Sequence, residues 1–413
     1  MRSRWTVVIV GFIVATVAVV LVATIRPGAA TRREAVPFDA YIAAKLVGYT
    51  ERVRYFPRDA VHVEEFRQDY LASLERERAV LRAQGWTGDD MPPASLLVIS
   101  GGGDGGAFGA GVLNGWTRSG KRPVFKLVTG VSTGALIAPF AFLGSDYDEP
   151  LRRLYTSLSF ADVAKMRWML SALYQDAMAD TTPLQRLVEK HITQEMLDRI
   201  AEEHEKGRVL LVATTNLDVR RPVIWNVTKI AALRRPDALH LVHKILIASA
   251  AIPATFPPVM FEVEVGGKRY EEMHVDGGTS SQLFVYPTAI MLPQLAKRER
   301  TLYIIRNSRM DPEWAQVDRR TLPIAMRAIT CLIQNQGIGD LYRIYTIAQR
   351  DEIDFNLTFI PSTFKVEKKH DFDTKYMQAL YETGERMGAE GIEWYKRPPI
   401  LVTGVDDDSA SKE

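Results

Sequence analysis

Cysteine is almost absent. Cys331 is the only one in 413 residues, which excludes an intramolecular disulfide and any cysteine-built metal cluster. Histidine is scarce as well: His62, His191, His204, His240, His243, His274 and His370 are the whole supply. None of them follows an aspartate within a glycine-framed loop, in the serine, acid, histidine order of a hydrolase triad. His240 and His243 stand three apart on a helix-like stretch without a third ligand, so no metal is expected. Excess charge is missing too, since 52 Lys plus Arg against 50 Asp plus Glu leave only +2. No single-signed field draws in nucleic acid, and none is expected as a partner. With 46% hydrophobic and 25% charged residues the composition is that of a folded chain, long enough for one large domain with additions or for two.

The amino terminus departs from that average. Thr6 to Ile25 carries no charge, between Arg2 and Arg4 on one side and Arg26 on the other. Twenty residues at 1.5 Å each span about 30 Å, the thickness of a bilayer core, so residues 6–25 are expected to be a transmembrane anchor. A cleaved signal ending at Gly28-Ala29-Ala30 is the alternative. No cysteine follows the run, which excludes a lipoprotein. Arg26, Arg32 and Arg33 balance the arginines before it and set the orientation only weakly. Beyond this segment, 31–93 reads as a helical extension with apolar residues near helical spacing, 94–290 as the core, 291–400 as its completion within the same domain, and 401–413 as a polar, mobile tail.

Two consecutive strand, turn and helix patterns carry the chemistry. Ser95 to Ile99 is a compact apolar strand that runs into Ser100-Gly101-Gly102-Gly103-Asp104-Gly105-Gly106 and then a helix. In that layout backbone N–H groups at the helix start bind negative charge, either a nucleotide phosphate or the oxyanion of an acyl intermediate. The loop satisfies G-x-G-x-x-G but lacks the lysine of a P-loop. Some two dozen residues later, Leu127 to Val131 enters Gly130-Val131-Ser132-Thr133-Gly134 and leaves through Ala135-Leu136-Ile137. This is a G-x-S-x-G elbow, which makes Ser132 a candidate nucleophile, with Gly130 and Gly134 letting strand and helix approach. Further on, a strand ending in Val275 delivers Asp276 to Gly277-Gly278, 144 residues after Ser132 (276 − 132). Beside the other two motifs Asp276 is the candidate base.

These residues, in this order, resemble the patatin-like phospholipase family. The similarity rests on Gly101 to Gly106, on Gly130 to Gly134, on Ala248 to Pro258 and on Asp276-Gly277-Gly278, within about residues 95–290. One departure stands out: the family commonly has Arg or Lys where this chain has Gly105. The resemblance implies a serine lipid acyl hydrolase that needs no cofactor, acting on membrane lipids or other fatty-acyl esters. Ser132 and Asp276 form its dyad, and the N–H groups of Gly101, Gly102 and Gly103 its oxyanion hole. The fold expected is a three-layer α/β architecture around a mainly parallel sheet. With an anchor at 6–25, the catalytic domain is expected in the cell envelope. A lipid-binding protein without catalysis on the same fold, and a nucleotide-binding protein using the glycine loop, remain as alternatives.

The rest reads as scaffold. Phe160 to Met178 has one apolar helical stripe with methionines. Arg208–Thr214 and Pro222–Val227 form a hairpin, Ala238–Ala250 a helix, and Val259–Val265 with Arg269–Val275 a second hairpin. Thr301–Arg306 and Phe355–Ile360 are strands, and Leu322–Ile338 and Asp373–Tyr395 helices.

Overall fold

A computed structural model describes residues 32–166, 177 and 179–399. The expected anchor at 6–25 and the tail at 401–413 lie outside the described residues. Among the described residues no helix is long and apolar enough to cross a membrane.

Two short strands, β1 (Lys45–Leu46) and β2 (Arg54–Tyr55), precede α1 (Ala60–Ala83). Two successive βα units follow: β3 (Ala94–Ile99) with α2 (Gly106–Arg118), and β4 (Phe125–Val131) with α3 (Thr133–Leu143). Next come α4 (Asp148–Ser157), α5 (Phe160–Val163), the small antiparallel pair β5 (Lys165–Met166) and β6 (Ala179–Asp180), α6 (Thr182–His191) and α7 (Gln194–Glu205). The chain continues through β7 (Val209–Asn216), β8 (Arg221–Asn226), α8 (Val227–Ala232), α9 (Ala238–Ser249), β9 (Val259–Val265) and β10 (Lys268–Asp276). It closes with β11 (Arg300–Arg306), α10 (Thr321–Arg350), β12 (Asp354–Phe359) and α11 (Thr374–Glu390).

Ten strands form one sheet in the order β1-β9-β10-β7-β4-β3-β11-β12, with β8 on the other edge of β7 and β2 on β8. Five central strands, β7 to β12 in that order, run parallel through four pairings. Five further pairings are antiparallel, so the sheet is mixed and not mainly parallel as expected. The reason is local. Both hairpins, β7–β8 and β9–β10, join the central sheet edge-on, and the two-residue strands β1 and β2 extend it from the amino-terminal region that reads as helical. Two-residue strands have too few side chains to show a period of two.

The sheet is buried on both faces, which the alternation along β3 makes visible. Leu97 and Ile99 join one apolar cluster and Leu96 and Val98 the other, all at most 1% exposed. The first cluster is covered by α2, α3, α9 and α11, through Phe108, Phe140, Leu246 and Tyr381 among others. The second lies under α1, with Phe66, Tyr70 and Leu74, and under the carboxyl half of α10, with Leu341, Ile344 and Ile347. Helices, sheet and helices therefore make three layers. α1 starts on a side-chain cap, Asp59 accepting from the His62 N–H, and α11 on another, Asp373 accepting from Lys375 and Tyr376 N–H. The single helix expected over Phe160–Met178 is not formed: helix ends at Val163, and Lys165–Met166 pairs as a strand. Residues 167–176 and 178 of that stretch lie outside the described residues.

Packing of α2 against α11 holds the helix that follows the glycine loop. Gly111 and Gly115 on α2 face Gly384 and Gly388 on α11, so small residues four apart meet small residues four apart. A Cβ on Gly111 would overlap the Tyr381 carbonyl, and one on Gly384 the Phe108 carbonyl. The two backbones thus touch where side chains would hold them apart. We expect Gly111→Ala and Gly384→Ala each to destabilise the fold by about 1–3 kcal/mol, the usual cost of overpacking, although alanine is the better helix former. Urea denaturation checks this, and a gain in midpoint for either variant would contradict the close approach.

Candidate active site

β7 is the template on which the site is assembled. Its residues 209–213 pair with β4, and residues 214–216 of the same edge pair with β10, because β8 occupies the opposite edge throughout 211–216. β4 and β10 therefore meet end to end along one edge. Val131, the last residue of β4, lies opposite Ala213, and Asp276, the last of β10, lies opposite Thr214. The next residue after Val131 is Ser132. Two strands separated by more than a hundred residues thus deliver a hydroxyl and a carboxylate to adjacent rungs.

Ser132 sits on the elbow between β4 and α3 at φ 54 and ψ −126, a conformation that costs a side-chain-bearing residue about 1–3 kcal/mol. Its surroundings hold it there. β4 and the first residues of α3 are buried, and each fully buried large apolar side chain stabilises by about 1.5–3 kcal/mol, so a few of them outweigh the strain. Neighbouring chains also come too close for anything but glycine: a Cβ on Gly130 would overlap the Gly134 carbonyl, and one on Gly134 the Ile99 and Ser100 carbonyls. The Ser132 N–H donates to Ser249 Oγ at 2.9 Å, and that hydroxyl donates onward to the Ala213 carbonyl at 2.7 Å. Ser249 thereby ties the elbow to β7 at the rung where β4 stops.

Ser132 Oγ donates to Asp276 Oδ2 at 2.6 Å, while Asp276 Oδ1 accepts the Gly278 N–H at 2.7 Å. Gly277 permits the turn, since a Cβ there would lie 2.9 Å from Val131 Cγ1 and against the Ala213 carbonyl. Asp276 is 2% exposed, and among the described residues no cation stands against it. Burial accordingly pushes its carboxyl up to about 7, even though the Ser132 and Gly278 hydrogen bonds act in the other direction. An aspartate raised this far is a competent base near neutrality.

The loop after β3 lies against Ser132, where a Cβ on Gly101 would come within 3.1 Å of Ser132 Cβ. Gly102 and Gly103 take φ values of +151 and +56, and among the described residues no acceptor meets either N–H. Gly101 differs from the expected donor set, because its N–H is already donated to the Gln282 carbonyl at 3.3 Å. The expected three donors narrow to two. Gly105 is packed against the Asn307 carbonyl, with no room for a Cβ, which gives a steric reason for the missing Arg or Lys at that position. Gly106 starts α2 against Thr133 and Tyr155. Asp104 accepts from the Phe372 N–H at 3.1 Å and pairs with Lys368 Nζ at 3.2 Å, so a cation reaches this loop from another part of the chain.

Several supporting residues have no motif to announce them. Asn307, just past β11, accepts the Gly109 N–H and donates to the Ser100 carbonyl, fixing the loop from its neighbouring strand. Asp340 on α10 accepts from Ser281 Oγ and the Gln282 and Leu283 N–H groups, which holds the turn after Asp276. Their one signal is position, polar residues directly after or opposite the carboxyl ends of strands. His274, two residues before Asp276, is fully buried between Thr214 Oγ1 at 2.8 Å and Glu272 Oε2 at 3.1 Å. Arg54 holds Glu272 in turn, through both terminal nitrogens of its guanidinium. This histidine braces β10 on β7 and does not reach Ser132. A cleft of about 760 Å³ lies apart from the dyad, between the amino-terminal half of α10 and residues 358–363, and neither Ser132 nor Asp276 lines it.

Residues 97–289 match the model of the patatin-like phospholipase family. Among solved structures, VipD from Legionella pneumophila matches with a TM-score of 0.36 at 11% identity, over 77% of this chain and 70% of that one. ExoU from Pseudomonas aeruginosa, solved at full length with SpcU, matches with a TM-score of 0.33 at 13% identity over 73% of this chain and 52% of that one. A second ExoU structure gives a TM-score of 0.31 at 13% identity, over 73% and 53%. No curated protein matches the sequence.

The buried carboxyl has a consequence for stability. An aspartate near 3.8 when unfolded and about 7 when folded binds more protons in the native state between those values, so its contribution to stability falls as pH rises through that window. Asp276→Asn keeps the shape and removes the titration. Relative to wild type the variant should therefore gain in melting temperature between pH 5 and pH 8; an unchanged difference across that range would contradict a desolvated carboxylate.

Proposed function

We propose that this protein is a serine lipid acyl hydrolase, cleaving fatty-acyl esters through a Ser132–Asp276 dyad and an acyl-enzyme. The observation that carries the reading is the 2.6 Å bond from Ser132 Oγ to the raised carboxyl of Asp276, with the Gly102 and Gly103 N–H groups of the adjoining glycine loop without an acceptor among the described residues. In this mechanism Ser132 Oγ attacks the ester carbonyl carbon while its proton passes to Asp276 Oδ2. The carbonyl oxygen takes up the negative charge and is held by the Gly102 and Gly103 N–H groups, which are worth most where water is excluded. Collapse breaks the bond to the alcohol, which leaves with the proton from Asp276. Water then attacks the acyl-serine, Asp276 takes its proton, and the second collapse releases the fatty acid and returns the proton to Ser132.

The base must be ionised to act, so kcat/KM on a soluble ester should rise with pH through about 7 and level off above it. Ser132→Ala should abolish turnover while the protein stays folded. A fluorophosphonate should modify the peptide carrying Ser132 in wild type and not in the variant. Turnover retained by Ser132→Ala would overturn the dyad, and saturable ATP binding with no serine labelling would favour a nucleotide site at the glycine loop.

For location, we propose that residues 6–25 hold the chain at the membrane with the hydrolase domain outside the cytoplasm, where its substrates are part of the same phase. Protease added to intact spheroplasts should digest the domain of the full-length protein. Digestion only after lysis would place it on the other side.

A further inference from the structure

We infer that the amino-terminal half of α10 is a membrane-docking element that seats the mouth of the Ser132 site on a lipid bilayer; the choice of a bilayer rests on the lipid hydrolase reading above. α10 is too long for the sheet it covers. Its 30 residues extend about 45 Å, whereas the seven residues of β11, the strand it follows, extend about 23 Å. Its carboxyl half is packed from Gly337 onward, with Asp340, Leu341, Ile344 and Ile347 buried. Among the residues from Thr321 to Gln336 whose burial is described, none is buried. The helix leaves the body at the active-site rim, where Asp340 holds Gln282 and a Cβ on Gly337 would press on Arg306.

The free half has an outer face unlike that of a solvated helix. Ile324, Ala325, Ala328 and Leu332 are exposed and recur at i, i+1, i+4 and i+8, while Cys331 and Asn335, also exposed, stand at the edge of this face where it borders the cleft. Leu332 is 71% exposed and Ile324 51%. Not one charge interrupts this face. The single ionic residue in Thr321–Gln336 is Arg327, which donates to the Glu313 carbonyl in the loop beside the cleft. Surface helices normally put charge on the side facing water, and an apolar stripe there marks a contact.

Three observations select a bilayer as the occupant. Exposed Arg319 and Arg320 directly precede the helix and Trp314, 88% exposed, stands just before them, the cation and indole pairing of an interfacial element that meets anionic headgroups. The uncharged run 6–25 reaches the described chain at Arg32, which is bound to Asp218 in the turn after β7 and to the Glu271 carbonyl. β7 is parallel to β4, so that turn lies at the same end of the strands as Ser132 and the free half of α10. In the sheet order β4 stands between β7 and β11, so the first described residue, Arg32, and the free half of α10 lie on opposite sides of the site. A second copy of the chain fits less well: one face about 24 Å long covers about 250 Å², well under the roughly 800 Å² per partner of a stable interface.

Cys331, the only cysteine, lies exposed at the edge of this face, where the face borders the cleft and Leu332 is the next residue, so the full-length protein can be read at that point without mutation. An environment-sensitive thiol label on Cys331 is followed after reconstitution into vesicles of equal parts phosphatidylcholine and phosphatidylglycerol. Nitroxide-bearing lipids should quench it and aqueous iodide should not, and Ile324→Glu with Leu332→Glu should reverse that order. The same pair should lower hydrolysis of vesicle lipid by about tenfold, corresponding to a loss of about 1.4 kcal/mol of docking, while cleavage of a soluble short-chain ester is unchanged. A label open to iodide and untouched by nitroxide lipid overturns the inference, as does energy transfer between labels on neighbouring copies. Lipid quenching in a protein that cleaves no ester supports the docking face and counts against the hydrolase reading alone.

Discussion

The site depends on the sharing of one strand edge. β7 accepts β4 along its first five residues and β10 along its last three, so two chain segments of opposite direction end against each other. Where two strands stop head to head, the next atoms must turn out of the sheet, and here those atoms belong to Ser132 on one side and to the Asp276 carboxylate on the other. Because the rungs are fixed by backbone hydrogen bonds, the 2.6 Å contact follows from register and not from the flexibility of either side chain. Ser249 fills the gap left on β7, taking the Ser132 N–H and giving its own proton to Ala213.

A site made this way is dry, and its chemistry follows from the dryness. Asp276 has hydrogen bonds but no counter-cation among the described residues, so desolvation dominates and the carboxyl rises to about 7. The nearby cations are committed elsewhere: Lys368 to Asp104 and Asp371, Arg54 to Glu272. An arginine against Asp276 would lower its pKa and weaken it as a base. Stability is given up locally for this, in the strained elbow and the buried acid, and is offset by the apolar layers on both sheet faces and by the close packing of α2 on α11.

The glycine loop shows how later parts of the chain shape an early motif. Asn307 from β11 closes the space at Gly105 and holds Gly109, and the turn after Asp276 takes the N–H of Gly101 through Gln282. What remains without an acceptor among the described residues is the N–H of Gly102 and of Gly103. The same end of the sheet carries Arg32, the first described residue, and the overhanging half of α10, so the site, Arg32 and the apolar helix lie at one end.

Much of this was legible in order along the chain. Glycines around a serine, after an apolar strand and before a helix, report a local need for close approach, and local needs are written in consecutive residues. For that reason the two βα units and both hairpins are readable from the residues, and the overlaps found at Gly130 and Gly134 are the ones such glycines imply. Contacts between distant segments leave no such trace. A two-residue strand such as β1 has no period to detect, the antiparallel pairings that make the sheet mixed depend on which edges meet, and Gly101 looks identical to Gly102 until Gln282 claims its N–H. Nor does an apolar stripe on α10 say which part of it is covered: that is decided by the length of β11, because a helix of 45 Å cannot be buried by a strand about half as long. Residue identity determined the chemistry available and its local geometry; only the pairing of β7 with both β4 and β10 determined that the serine and the aspartate meet, since hydrogen-bond register acts between segments that sequence separation keeps apart.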